Sequence, residues 1–233
     1  MFKETSKELL DFLSKSPTAF HAVENYRQIL NADGFKELLE SEHWDIVPGG
    51  KYYVTRNNTS ILAFKVGTKL DNYSFNIVTS HTDSPTFKVK ENAEIEVKNK
   101  YTQLNTEGYG GMLCATWLDR PLSIAGRVLV SEGNSIVTKL LNIDRDLLMI
   151  PNVAIHMNRA ANDGFKYNLQ VDMLPLLSGG DDRQKDFKQI IADELGVKKE
   201  DILGHDLYLY NSMAPSIWGS NEEFISAGHL DDL

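Results

Sequence analysis

Phe75-Asn76-Ile77-Val78-Thr79-Ser80-His81-Thr82-Asp83-Ser84-Pro85 is the stretch on which the reading of this 233-residue chain turns. Phe75–Thr79 is apolar enough for a buried strand, and Pro85 helps to end it. A His and an Asp two residues apart at a strand's end make one chemical unit. The imidazole holds a metal through one nitrogen, and the Asp takes the proton of the other, which fixes ring angle and tautomer. Loops outside the carboxyl ends of strands are also where α/β sheets bind ligands. By spacing alone, His81-x-Asp83 equally fits a surface turn or a satisfied core histidine, so support has to come from elsewhere in the chain.

Upstream, Leu9, Leu10, Phe12 and Leu13 form one helical stripe over residues 6–15. Ser16-Pro17 restarts a helix, with Ser16 as cap and Pro17 in the first turn. That helix turns Phe20, Val23, Ile29 and Leu30 inward and ends near Gly34. A further short helix is expected over Lys36–Glu40. Tyr52–Thr55 and Ser60–Val66 read as a hairpin joined through Arg56-Asn57-Asn58-Thr59. Helices, a hairpin and a buried strand predict an α/β layer.

After Phe87 the period changes. Lys88-Val89-Lys90 and Glu94-Ile95-Glu96-Val97-Lys98 alternate apolar and charged residues, as a strand with one wet face does. Further strand-like runs are Tyr101–Thr106, Leu122–Val130, Ser135–Leu141 and Leu207–Tyr210, and only Asp186–Leu195 looks helical. Residues 174–186 read as a mobile surface loop. We therefore divide the chain into an α/β layer, 1–95 with 222–233, and a mostly β subdomain, 96–221, inserted into it.

Composition bounds the function. Hydrophobic residues make up 42% of the chain, enough for a real core. A net charge of −9 argues against a nucleic-acid backbone or an anionic membrane as main partner. The single cysteine, Cys114, forms no internal disulfide and reads as a small buried apolar side chain in a reducing compartment. The first eight residues are polar, with no secretory segment, and no apolar run approaches the roughly 20 residues that span a bilayer. A cytoplasmic protein is expected.

Among other candidates, Asp231 and Asp232 follow the apolar Phe224-Ile225-Ser226-Ala227, which would deliver them into a site. A carboxylate bridging two divalent ions about 3.5–4 Å apart is a standard element of co-catalytic metal sites. Each zinc takes about four ligands, so one His and one Asp do not complete such a site. From spacing alone, His156 reads as structural and His21 as a helix residue near the core. His43, His205 and His229 have no partner spacing of their own. Gly108-Tyr109-Gly110-Gly111 lacks the Lys-Ser/Thr of a P-loop and does not match the dinucleotide fingerprint.

Several motifs, in order, carry a resemblance to the M18 family of metallo-aminopeptidases, the aspartyl aminopeptidase group. They are Ser16-Pro17-Thr18-Ala19-Phe20-His21-Ala22-Val23, Pro48-Gly49-Gly50-Lys51-Tyr52-Tyr53, Ser80–Pro85, Tyr109-Gly110-Gly111 with Thr116-Trp117-Leu118-Asp119-Arg120-Pro121, Ala154-Ile155-His156 and Leu230-Asp231-Asp232-Leu233. The resemblance implies a zinc-peptidase-like α/β layer whose β insert mediates dimer contacts and acts as a lid. It implies that His81 binds one zinc, that Asp83 orients His81, and that Asp231 bridges both zincs. It also implies that His156, against its reading from spacing, is lent to a neighbouring subunit's active site. Two zincs are implied per intact site, although oxygen and imidazole ligands also suit Co²⁺ or Mn²⁺. Implied partners are peptides with a free N-terminal residue, Asp or Glu in the family name, and copies of the chain itself, as dimers that build a dodecamer.

In that family a Glu-Glu pair, a further Asp and a His come after the Leu-Asp motif. Here Glu222 and Glu223 precede it and the sequence stops at Leu233. The expectation is an N-terminal fragment that lacks the catalytic base and is inactive alone. The family also has Arg before Leu-Asp, where this chain has His229. Two other readings stay open: a non-catalytic assembly module, and another di-zinc amidohydrolase such as a deacylase.

Overall fold

Alternation of apolar and charged residues along its strands builds the larger of the two bodies into which this chain folds. The computed structural model describes residues 2–71, 74–180 and 185–230. It divides into an α/β unit, Met1–Ser84 with Pro215–Leu233, and a β unit, Pro85–Ala214. The second unit begins eleven residues before the 96 expected from sequence, because a single strand runs unbroken across that point.

In the α/β unit, helix α1 spans Phe2–Ser14 and α2 spans Ala19–Ala32. Strand β1 is Lys36–Glu37, β2 Lys51–Arg56 and β3 Ser60–Lys65. β1 pairs parallel with β2, and β2 pairs antiparallel with β3 in the order β1-β2-β3. Asn57 and Asn58, both at positive φ, make the hairpin turn, a conformation asparagine tolerates well. The core is small: Leu13, Phe20, Ala22, Val23, Tyr52 and Tyr53 are its buried apolar residues.

Several local expectations are corrected here. Lys36-Glu37 is a strand rather than a helix, because its backbone pairs with Tyr52 and Tyr53. The cap of α2 is Thr18. Ser16 is fully buried and accepts a hydrogen bond from Asn25 Nδ2 (2.9 Å), which leaves it no capping role. Ile29 is exposed, since no described element covers that side of α2. The largest correction concerns 75–79. Residues 74–80 belong to no helix or strand, and Phe75, Ile77 and Val78 are exposed rather than buried.

The β unit is a six-stranded antiparallel sheet. Its strands are β4 (Thr86–Val97), β5 (Tyr101–Tyr109), β6 (Leu122–Glu132), β7 (Ser135–Asn142), β8 (Leu176–Gly179) and β9 (Ile202–Asn211), in the order β7-β6-β9-β4-β5-β8. The loop expected over 174–186 contains β8, an edge strand held by β5, while 181–184 lie outside the described residues. Helix α3 (Phe187–Leu195) starts where the Asp186 carboxylate accepts from the Gln189 amide (2.8 Å) and stops at left-handed Gly196. It lays Phe187 and Ile191 into one cluster with Phe87, Leu104, Ile124 and Leu207. Cys114 is only half-buried, in a short 3₁₀ turn, Cys114–Trp117, at the edge of that cluster.

Two short strands, β10 (Ser216–Trp218) and β11 (Phe224–Ser226), return the chain to the α/β unit as a hairpin. His229 then ties this segment to α1, its Nε2 donating to the Leu13 carbonyl (3.1 Å). No described helix is long and apolar enough to cross a membrane.

Gly126 on β6 sits at φ +153° opposite β9, and a Cβ there would lie 2.0 Å from the Asp206 carbonyl oxygen. Gly126→Ala is expected to lower the unfolding free energy of the β unit by about 3 kcal/mol, read as a shift in urea midpoint, because backbone rather than a flexible side chain must move. His21 gives a second test. Its Nδ1 lies 2.8 Å from Thr18 Oγ1, and burial pushes its pKa down to about 4. The unfolded chain takes up that proton near pH 6.5 and the folded chain does not, so His21 stabilises fully above that pH and progressively less down to about 4. Between pH 7.5 and 5 the native chain should lose on the order of 1–2 kcal/mol more than His21→Gln does; equal losses would refute the assignment.

Candidate metal-ligand site

Since residues 74–80 form no strand, His81 is held by other means. Thr82 Oγ1 donates to the Thr59 carbonyl (2.6 Å), which ties the motif to the β2–β3 turn. The His81 Nδ1 lies 2.8 Å from the backbone carbonyl oxygen of Asp83 and 3.5 Å from its carboxylate Oδ1. A carbonyl oxygen only accepts, so Nδ1 carries the proton and the lone pair of the neutral ring is on Nε2. That is the tautomer a metal needs. The nearer proton acceptor is thus the main chain of Asp83, with its carboxylate standing beside it. Both side chains are 45% exposed, which leaves the motif accessible.

One donor is not a site. Among the described residues no group of three or more His, Cys, Asp or Glu side chains is gathered as a metal would require. Asp231, expected to bridge two ions, lies outside the described residues. His156 belongs to the other unit, in an exposed turn where Val153, Ile155 and Met157 are exposed as well. The structure therefore brings His81 and Asp83 together and shows His156 on an accessible loop.

The root of that loop is a residue to which sequence reading assigned no role. Asp119 sits in the left-handed region (φ +55°), its amide donates to the Ile150 carbonyl (2.9 Å), and its Oδ1 accepts from the Asn152 amide (2.8 Å). Asp and Asn are the non-glycine residues that accept this conformation at least cost. No local signal in the Trp-Leu-Asp-Arg-Pro run pointed to these partners, which lie more than thirty residues on.

The chain belongs to the Aminopeptidase I zinc metalloprotease (M18) family, whose model matches residues 12–233. The probable M18 family aminopeptidase 2 of Clostridium novyi is 48% identical over 234 residues, covering 98% of this chain and 54% of that protein. Chaetomium thermophilum mApe1 superposes with a TM-score of 0.90 at 30% identity over 98% of this chain and 55% of that one. The S. cerevisiae mApe1 dodecamer gives 0.80 at 26% identity, with 99% and 53% covered. The chain thus spans about half the length of the relatives it matches.

Asp119→Ala removes both the side-chain acceptor and the residue type suited to positive φ. Hydrogen exchange at the Asn152 amide should speed up about tenfold or more, while Asp119→Asn changes it little. Equal exchange in the alanine variant would show that the loop is rooted elsewhere.

Proposed function

We propose that this chain forms part of a zinc aminopeptidase acting on peptides with a free N-terminal residue, acidic residues foremost. The observation that carries the reading is the His81 ring, poised through its Nδ1 bond to Asp83 to bind metal through Nε2. Membership of the M18 family supports it. Asp83 is a positioning residue that holds ring and tautomer. Asp231 would be a carboxylate ligand of the metal centre. When bound, zinc acts as a Lewis acid and lowers the pKa of bound water toward about 7.

In this reading His156 hydrogen-bonds the substrate's developing oxyanion in the site of a second copy, and its exposed loop suits that reach. The β unit is the dimerisation and lid element, dimers assemble toward a dodecamer such as that of the S. cerevisiae relative, and the protein works in the cytoplasm.

The test joins this chain to the unmatched part of the Clostridium novyi relative and assays Asp- and Glu-peptides against N-acyl amino acids. Free-amino peptides should be cleaved. His81→Ala should lower bound zinc and abolish turnover. His156→Gln should cut kcat about 100-fold with zinc content unchanged. Cleavage of acyl amino acids instead would make the protein a deacylase, and full activity in His81→Ala would leave only an assembly role.

A further inference from the structure

Two irregularities of the β unit fall at one place. Between Val89 and Glu94 the register of β4 on β5 shifts, so that Lys90–Ala93 stand opposite Asn105 alone. Between Leu129 and Val130 the pairing of β6 with β9 shifts as well and leaves Leu203 as an extra residue of β9. A bulge bends its strand and breaks the ladder locally, and bulges are frequent beside functional sites. Here residues of both bulges, with the first turn of α3, line a cavity of about 300 Å³. That volume is at the small end of the range for ligand sites.

Phe187, Ile191 and Ile202 give the cavity an apolar wall. Two of its carboxylates are already engaged. Asp186 pairs with Lys199 and caps α3, and Glu94 Oε1 accepts from the Phe187 amide (3.0 Å). Glu91 has no hydrogen bond or ion pair to a described residue. Its Oε1 lies beside Gly204, 3.8 Å from where a Cβ would stand. The next residue, His205, is half-buried and sets its ring edge-on to Phe187 (6.2 Å between centroids), and its Nδ1 is buried with no hydrogen-bond partner. Burial holds that imidazole below its usual pKa, so the ring is neutral at pH 7 and Nδ1 is an acceptor when the proton is on Nε2. Among the described residues these carboxylates and the imidazole do not converge as metal ligands would, so the fit is to a larger cation. We propose that the cavity binds a small organic ammonium ion with an apolar body, its N–H groups donating to Glu91 and to His205 Nδ1 and its hydrocarbon packing on Phe187, Ile191 and Ile202. An exposed carboxylate alone attracts a cation weakly, and the apolar wall supplies the rest. The site lies wholly within the β unit, and the inference does not rest on the hydrolytic reading.

The experiment titrates the 233-residue chain with phenethylamine and follows the methyl resonances of Ile191 and Ile202. Both should shift saturably, with a Kd of about 1 mM or tighter. Phenethyl alcohol, of the same shape without the charge, should bind about fivefold more weakly, and phenylacetate should shift neither methyl. Glu91→Gln should weaken the amine about fivefold and leave the alcohol unchanged, a split that a merely structural role would not produce. Circular dichroism should not change in that variant, because Glu91 is exposed. His205→Phe keeps a ring against Phe187 and should also weaken the amine about fivefold. The proposal is overturned if neither methyl shifts up to about 20 mM amine, if amine and alcohol bind alike, or if Glu91→Gln leaves amine binding intact. Tighter binding of phenylacetate would assign the cavity to Lys188 and Lys199 as an anion site and overturn it too.

Discussion

Apolar side chains have to be covered, and the two units of this chain meet that constraint to different degrees. In the β unit, six antiparallel strands and α3 enclose Phe87, Leu104, Ile124, Ile191 and Leu207 completely. Within the sheet, the neighbouring strands β6 and β9 leave no room for a methyl group at Gly126. Beside Gly126, Asp206 sits between Lys88 (2.7 Å) and Arg127 (2.8 Å). Burial pulls its pKa up, and the two cations more than offset that and hold it below the usual carboxylate range. The sheet thus closes one continuous apolar cluster and pairs Asp206 with two cations.

The α/β unit is not satisfied to the same extent. Helix α2 contacts the three-stranded sheet at β3, while Phe75, Ile77 and Val78 are exposed. The same segment leads into His81, so the chemistry begins where burial is least complete. There the Asp83 carbonyl and the Thr59 carbonyl hold the motif. The Asp83 carbonyl sets the tautomer, and Thr82 anchors the loop on the β2–β3 turn.

Much of the architecture was legible from local pattern. The alternation in Lys88–Lys90 and Glu94–Lys98 reports β4, the Asn57-Asn58 pair reports the hairpin, and Asp186 with Gly196 brackets α3, because side-chain period and turn chemistry act over a few residues. Lys36–Glu40 misled for the converse reason: a two-residue parallel strand has no period and exists only because Tyr52 and Tyr53 lie beside it. β8 escaped notice likewise, since four residues at a sheet edge carry little signal. At the candidate site the His-x-Asp spacing was visible, but Asp119 was not, because its work is done through backbone groups some thirty residues away.

By itself the sequence determined the longer helices and strands, the His81–Asp83 motif and the family, all of which are written in the order and spacing of residues along the chain. Only the tertiary structure decided which oxygen holds the His81 proton, what roots the His156 loop, and that Phe75–Val78 is exposed. Those outcomes depend on what stands next to a residue in space, and a residue's own identity does not specify that.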